Sequence, residues 1–415
     1  MTKHPLHIAH FTNTYLPVTN GVVRSVHSFR RAQTALGHNV FVFAQDAPKY
    51  EDEEPFIFRY PSFNVPIRNY PVTIPVSPFI DWVLPILKPD VIHAHHPAPI
   101  GTAASDKAEK LNIPLVFTHH TRYQEYAQYM GIPTELAVRL LERLLADYMQ
   151  KCQHVIVPSE SIRRLLEETY GIVERVSVVP TGIDLRPYQL ADGTHIRQSR
   201  GWSAQTKVII SVGRLVEEKN FATLIRAFAQ AHARVPKTLL VLIGDGPQQK
   251  SLQKLSQELN IQDAVVFLGR VPYEQVPAHL KAADLFAFAS VTETQGLVTM
   301  EAMAAGLPVT AVDATGTSDI VQHGKNGLLC PNLPEALAEI MEQVLVDEAL
   351  AAQLREKARE TAVNFEISAT ALRTISVYHQ AIEDKKAGHT VKTDRQKPIF
   401  KIQWDKLLEG LNLTG

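Results

Sequence analysis

At 415 residues, 45% hydrophobic and 20% charged, the chain has the composition of a globular protein and is long for one core. Two domains of about 200 residues each, and therefore a cleft, are expected. Its 42 basic and 43 acidic residues leave a formal net charge of -1, which argues against a global attraction to nucleic acid.

The chain opens Met1-Thr2-Lys3-His4-Pro5 and enters a strand-like run at once, without the apolar core and cleavage site of a signal peptide. No apolar run is long enough to span a bilayer. A cytoplasmic location, with peripheral membrane contact allowed, is the expectation. Short β-branched and aromatic runs then alternate with helix-period stretches: Leu6 to Phe11, Val40 to Phe43, Asp90 to His93, Leu115 to Thr118 and His154 to Val157. A second set follows at Lys207 to Val212, Thr238 to Ile243, Val265 to Leu268, Asp284 to Phe288 and Pro308 to Val312. In the second set Phe221, Leu224, Ile225 and Phe228 recur at helical spacing. This is the pattern of α/β doubly wound parallel sheets, two in tandem. Periodicity lapses between about Asp184 and Gln205, so the expected division is 1–185, 186–365 and a C-terminal segment 366–415. In that segment Ala371, Leu372, Ile375, Tyr378 and Ile382 form a helical stretch, followed by a polar run and an amphipathic tail, Phe400 to Leu411, for which docking on the protein is favoured over membrane contact. Cys152 and Cys330 match no metal-ligand spacing and are expected as buried free thiols in a reducing compartment.

Ligands of doubly wound sheets sit beyond the carboxyl ends of the strands, so chemistry is expected in the cleft between the two units. The segment Ser290-Val-Thr-Glu293-Thr-Gln-Gly296-Leu-Val-Thr-Met-Glu301-Ala-Met-Ala-Ala-Gly306-Leu-Pro308 lies between two strands of the second set. Gly296 breaks the chain before a helix-forming run, and a helix N-terminus offers free amides and positive dipole to a diphosphate. Glu301, about a turn into that helix, is suited to ribose hydroxyls and Glu293, in the loop, to the sugar; an arbitrary pair of glutamates would be solvated surface residues. Arg214 and Lys219 follow a strand and precede a helix, where fixed cations can stabilise charge on a leaving diphosphate. Gly244 and Gly246 are placed in a tight turn beside the nucleotide. No Gly-x-Gly-x-x-Gly follows the first strand, which counts against a nicotinamide enzyme. His93, His95 and His96 at a strand end lack carboxylate or cysteine companions, so no metal site is assigned.

Glu293-x-Gln-Gly-Leu-Val-x-Met-Glu301-Ala-Met-Ala-x-Gly-x-Pro-Val is very similar to the Glu-x7-Glu signature of glycosyltransferase family 4. Ser211-Val-Gly213-Arg214-Leu-Val-Glu-Glu-Lys219-Asn220 resembles that family's donor-phosphate segment, and Ile243 to Pro247, Phe267-Leu-Gly269-Arg270-Val and Gly316 to Gly327 follow in its order. The resemblance runs from about His7 to Phe365. It implies a GT-B fold, with two Rossmann-like domains facing a cleft and a C-terminal helix crossing back to the first domain. It implies a retaining hexosyltransferase that uses a nucleotide diphosphate sugar, with no cofactor or metal required. By the same resemblance Arg214, Lys219, Glu293 and His120 (in Thr118-His119-His120-Thr121) are the catalytic set. Gly21, Gly213, Gly244, Arg270, Gly296, Leu297, Val298 and Glu301 would hold the donor. Asn20-Gly21 stands where many members have two glycines, and Gly21 keeps the backbone approach open.

Phe11 to Val23 and Thr118 to Tyr126 look like the diacylglycerol glucosyl- and galactosyltransferase branch, which implies UDP-glucose or UDP-galactose as donor and diacylglycerol or a monohexosyl-diacylglycerol as acceptor. Tyr15, Arg122 and Tyr126 are then the acceptor-side residues. Phe56 to Pro85 is rich in proline and aromatics, as an apolar acceptor mouth or a packed loop would be. Arg24, Arg30 and Arg31 suit anionic headgroups or a solvated helix face. The alternatives are a family member acting on a soluble sugar, sugar phosphate or polysaccharide precursor and, more remotely, a nicotinamide-dependent oxidoreductase.

Overall fold

The computed structural model describes residues 4–63, 72–123 and 133–393. The first unit runs β1 (His7–Thr12), α1 (Gly21–Ala35), β2 (Asn39–Gln45), β3 (Ile57–Tyr60), a small hairpin of β4 (Ser62–Phe63) and β5 (Val72–Thr73), α2 (Pro78–Leu87), β6 (Val91–Ala94), α3 (Ile100–Lys110), β7 (Leu115–Thr118), α4 (Thr134–Met149), β8 (His154–Val157), α5 (Glu160–Tyr170) and β9 (Val176–Val178). Two short helices, α6 (Arg186–Leu190) and α7 (Thr194–Ser199), lead to the second unit. That unit runs β10 (Lys207–Val212), α8 (Phe221–Arg234), β11 (Thr238–Ile243), α9 (Gln249–Glu258), β12 (Val265–Gly269), α10 (Val276–Lys281), β13 (Leu285–Phe288), α11 (Leu297–Ala304), β14 (Val309–Val312), β15 (Leu328–Cys330), α12 (Pro334–Val346) and α13 (Glu348–Val363). A last helix, α14 (Ile367–Lys386), follows.

The strands form two parallel sheets, ordered β3-β2-β1-β6-β7-β8-β9 and β12-β11-β10-β13-β14-β15. Each is covered on both faces, and the period of two along a strand shows how. Ala9, Phe11, Ile92, Ala94, Leu115 and Phe117 point into a core shared with α2, α3, α4 and α5. Their neighbours Ile8, Val91 and Val116 point into a second core, with Phe29 of α1 and Ala371, Ile375 and Tyr378 of α14. The last helix thus crosses back onto the first sheet, packing on α1, β6, β7 and β8. Leu372 is left exposed on its outer side. The second sheet divides likewise between a core with α8, α9 and α12 and one with α10, α11 and α13. Both cysteines are free and buried. The tail 400–411 lies outside the described residues.

The chain passes between the sheets twice, and the two passes touch. Ile183 N–H donates to Phe365 O at 2.8 Å, and Ile367 N–H donates to Ile183 O at 3.0 Å. A side chain at Gly182 would put its first carbon 2.5 Å from the Ile367 Cα, so glycine is what lets the passes cross. In each sheet the strand order reverses once, between β1 and β6 and between β10 and β13. Those two reversals, at the carboxyl ends of the strands, are where ligand crevices form.

Candidate active site

At the second reversal, the loop after β10 carries Arg214 and Lys219, and the loop after β13 carries Glu293. Topology therefore brings together residues more than seventy positions apart. Lys219 Nζ meets Glu293 Oε1 in an ion pair that is mostly shielded from solvent. Arg214 extends outward: its side chain is 62% exposed, with a 3.4 Å contact to Glu218 Oε1. The backbone beneath them is tight. Gly244 at the end of β11 has φ +137°, and a first side-chain carbon there would lie 1.8 Å from Gly213 O. Gly246, at φ +159°, would similarly meet Leu215 O at 2.4 Å. These two glycines are thus required by the close approach of two backbones at the loop that presents Arg214.

Helix α11 begins after Gly296, whose φ of 75° is left-handed and which supplies no side-chain cap. Its first turn therefore keeps amide donors and dipole for another partner. Directly across lies the first residue of α1: a carbon added at Gly21 would come within 3.8 Å of Leu297 Cδ1. Asn20 caps α1 by accepting from Val23 N–H at 2.9 Å. Two helix N-termini, one from each unit, so face the same gap.

Glu301, a turn into α11, is buried and is met from the other unit. Its carboxylate pairs with Arg24 of α1 and accepts from Tyr273 OH at 3.1 Å. The Arg24 guanidinium lies 4.4 Å from the centre of the Tyr273 ring. This corrects the headgroup expectation for two of the α1 arginines, since Arg24 is turned to Glu301 and Arg30 pairs with Glu54, whereas Arg31 is left mostly exposed. Further links span the cleft: Arg270 donates to Thr19 Oγ1 at 2.5 Å, and Thr294 Oγ1 donates to His120 O at 3.0 Å. Gln295 accepts from Thr181 N–H and donates to Thr181 O, both at 2.8 Å. Tyr273, Thr294 and Gln295 are site residues that sequence reasoning missed. The last two lie inside the Glu293-to-Glu301 motif, and Tyr273 follows Arg270 closely.

At the first reversal the chemistry is different. His10 of β1 and His93 and His95 at the end of β6 bring ligand atoms within 4.8 Å of one another. His120, two residues beyond β7, joins them: its Nε2 is 2.9 Å from His95 Nδ1. Burial holds these rings neutral, pushing His10 down to about 4 and His120 down to about 3 and His93 and His95 well below their ordinary value. His96 is an organiser of the loop after β6, its Nδ1 accepting from Asn13 N–H at 3.1 Å.

Of the acceptor-side residues, Arg122 lines a polar crevice with Ser161, Arg164 and, from the second unit, Thr315. Tyr15 is a correction. It is buried among Val23, Val26, Val42 and Ala44, with its hydroxyl 3.1 Å from His27 Nδ1, and burial pushes its ionisation up to about 12. Tyr126 lies outside the described residues. The Phe56 to Pro85 segment divides: Tyr60 is buried, whereas Phe56, Phe63, Phe79 and Trp82 are more than half exposed. Just past His95 in the chain, a groove lined by Pro97, Ala98, Leu140, Leu144 and Tyr148, and also by Arg143, Asp147 and Lys151, runs between α3 and α4. Among the described residues no helix is long and apolar enough to cross a membrane.

Comparison with known proteins gives the following. Residues 19–186 match the model of Glycosyltransferase Family 4, and residues 192–361 that of Glycosyl transferases group 1. An alpha-monoglucosyldiacylglycerol synthase of Streptococcus pneumoniae is 32% identical over 74% of this chain and 71% of that protein. A D-inositol 3-phosphate glycosyltransferase of Corynebacterium glutamicum is 31% identical over 71% of this chain and 73% of its own length. Among solved structures, HepE of Anabaena in complex with UDP and glucose superposes with a TM-score of 0.72 at 21% identity, covering 90% of this chain and 99% of that one.

Proposed function

The chain belongs to glycosyltransferase family 4, and from that premise we propose that it transfers a hexose, glucose or galactose, from a UDP-sugar to diacylglycerol or a monohexosyl-diacylglycerol, with retention of anomeric configuration. The observation that carries the donor half is the pair of helix N-termini, at Gly21 and Leu297, facing one gap beside Arg214 and Lys219. A diphosphate in that gap meets amide dipoles from both units and cations from the second.

In this reading the bond from the sugar's anomeric carbon to the diphosphate oxygen breaks with its electron pair moving onto the phosphate. Arg214 and Lys219 stabilise that charge. The acceptor hydroxyl oxygen then bonds to the same face of the anomeric carbon, and its proton passes to the departing phosphate. Glu293 and His120 hold sugar hydroxyls, and Glu301 holds the ribose. The chain's own cations carry the charge, so the reading calls for no metal. Catalysis rests on positioning and fixed charge.

The lipid acceptor is supported by the named activity of the pneumococcal relative, by the exposed Phe79, Trp82 and Ile86 on the outer side of α2, and by the apolar groove beside His95. Such an apolar groove is the kind of surface that takes an acyl chain. Cytoplasmic placement with peripheral membrane contact follows from the same reading.

Radiolabel transfer from UDP-glucose and UDP-galactose, separately, to liposomes containing diacylglycerol or monohexosyl-diacylglycerol tests it, with Glu293→Ala as control. Labelled lipid that disappears in the variant supports the proposal and identifies sugar and acceptor. UDP binding without any labelled lipid overturns the lipid assignment and directs the search to soluble sugars and sugar phosphates.

A further inference from the structure

The histidines at the first reversal form a connected hydrogen-bond path. Gln33 of α1 sits at its centre: its Oε1 is 2.9 Å from His10 Nε2, and its Nε2 donates to Tyr378 OH of α14 at 3.3 Å. From His10 the path runs Nδ1 to His95 Nε2 at 2.8 Å, then His95 Nδ1 to His120 Nε2 at 2.9 Å. From Tyr378 it runs to His93 Nδ1 at 2.7 Å, and from His93 Nε2 to Thr118 Oγ1 at 2.6 Å. Every ring nitrogen of His10, His93 and His95 is thereby used, which argues for a hydrogen-bond chain rather than a metal cage at this cluster.

A neutral imidazole donates once and accepts once, so in a chain of them one fixed end sets the direction of all. Gln33 is that end. Its amide oxygen faces His10, so His10 carries its proton on Nε2 and accepts at Nδ1. His95 must then donate from Nε2 and accept at Nδ1, and His120 must donate from Nε2. The seven side chains come from α1, β1, α14 and the carboxyl ends of β6 and β7, so the last helix of the chain helps to hold the path.

We propose that Gln33 is a positioning residue for sugar transfer: acting through His10 and His95, its amide holds His120 as the Nε2–H tautomer and leaves His120 Nδ1 as a hydrogen-bond acceptor for the donor sugar. The proposal rests on the reading of His120 as a sugar contact. Burial supports it by keeping the rings neutral, since a charged imidazole would donate in both directions and erase the signal. Replacing Gln33 by leucine removes the acceptor for His10 Nε2–H. The least costly rearrangement moves that proton to Nδ1, which reverses the chain and puts the His120 proton on Nδ1.

The test is the tautomer itself, read by long-range proton–nitrogen correlation in full-length protein labelled with nitrogen-15 histidine, the His120 signals being assigned by their loss in His120→Gln. Expected are Nε2–H at His120 in the parent protein, Nδ1–H in Gln33→Leu, and Nε2–H again in Gln33→Glu at a pH where its carboxylate is ionised and can only accept from His10. Turnover in Gln33→Leu should fall about tenfold, one hydrogen bond's worth, with UDP affinity unchanged. Nδ1–H in the parent, or an unchanged tautomer in Gln33→Leu, overturns the proposal. If Gln33→Leu fails to fold, the parent spectrum decides it, because Nδ1–H at His120 there is incompatible with the chain. Undiminished transfer by His120→Ala would instead overturn the sugar-contact premise, which the spectra do not depend on.

Discussion

The two sheet reversals face one cleft and solve opposite problems. The second is built of charge: Lys219 against Glu293, Arg214 reaching into solvent, and Glu301 clasped by Arg24 across the gap. The first is built of buried neutral rings, His10, His93 and His95, connected to His120. A leaving diphosphate gains charge during reaction and is served by fixed cations, whereas a neutral sugar is oriented by directional hydrogen bonds whose polarity must not fluctuate. On the proposed reading, the division of labour lies in the electrostatic character of each crevice, although both units share one topology.

The sharpest way to break it is at the charged crevice. Lys219→Ala should lower kcat/KM by about a thousandfold, the loss expected for a group that stabilises transition-state charge, measured by initial rates of sugar transfer. A loss below about threefold would mean that the charge is handled elsewhere. Gly244→Ala attacks the same crevice through its backbone, because the added carbon would collide with Gly213 O. It should destabilise the fold by about 3 kcal/mol in denaturant unfolding, and a neutral result would show that the loop relaxes freely. Glu301→Gln weakens the grip between units. It should raise the Kd for UDP, by titration calorimetry, by about tenfold to a hundredfold, as expected for a charge-assisted hydrogen bond.

The neutral crevice is tested by pH. His10, His96 and His119 are pushed down to about 4 and His120 to about 3, all by burial, from an ordinary 6.5. Their folded-state values lie below the unfolded one, so their contribution is complete above pH 6.5 and is lost as pH falls toward 4. Each such histidine should add about 1.4 kcal/mol per pH unit to the slope of stability in that window. Unfolding midpoints followed from pH 7 to 4 should therefore drop steeply. A flat profile would show that the rings take up protons in the folded protein as readily as in the unfolded chain.

Much of this was legible in the chain. The long strand runs, the helix-period stretches and the Glu293-to-Glu301 segment announced two doubly wound units, because burial on both faces demands continuous apolar strands. The strands β3, β9 and β15 escaped notice because each is a sheet edge, and in β3 and β9 the half-buried position admits Arg59 and Ser177, which interrupt the apolar run. Tyr15 was misread because a resemblance carried along the chain says nothing about which way a side chain turns, and here it turns into the core.

The chain alone settled the central strands, their order and the identity of the charged groups, since each depends on local periodicity or on motif spacing within one segment. What the tertiary structure alone decided is which distant groups meet. Arg24 reaches Glu301, and Gln33 of the first helix joins Tyr378 of the last beneath His120. Such pairings arise from strand order and from the return of α14 to the first sheet, and no local pattern in the chain encodes a contact closed by packing.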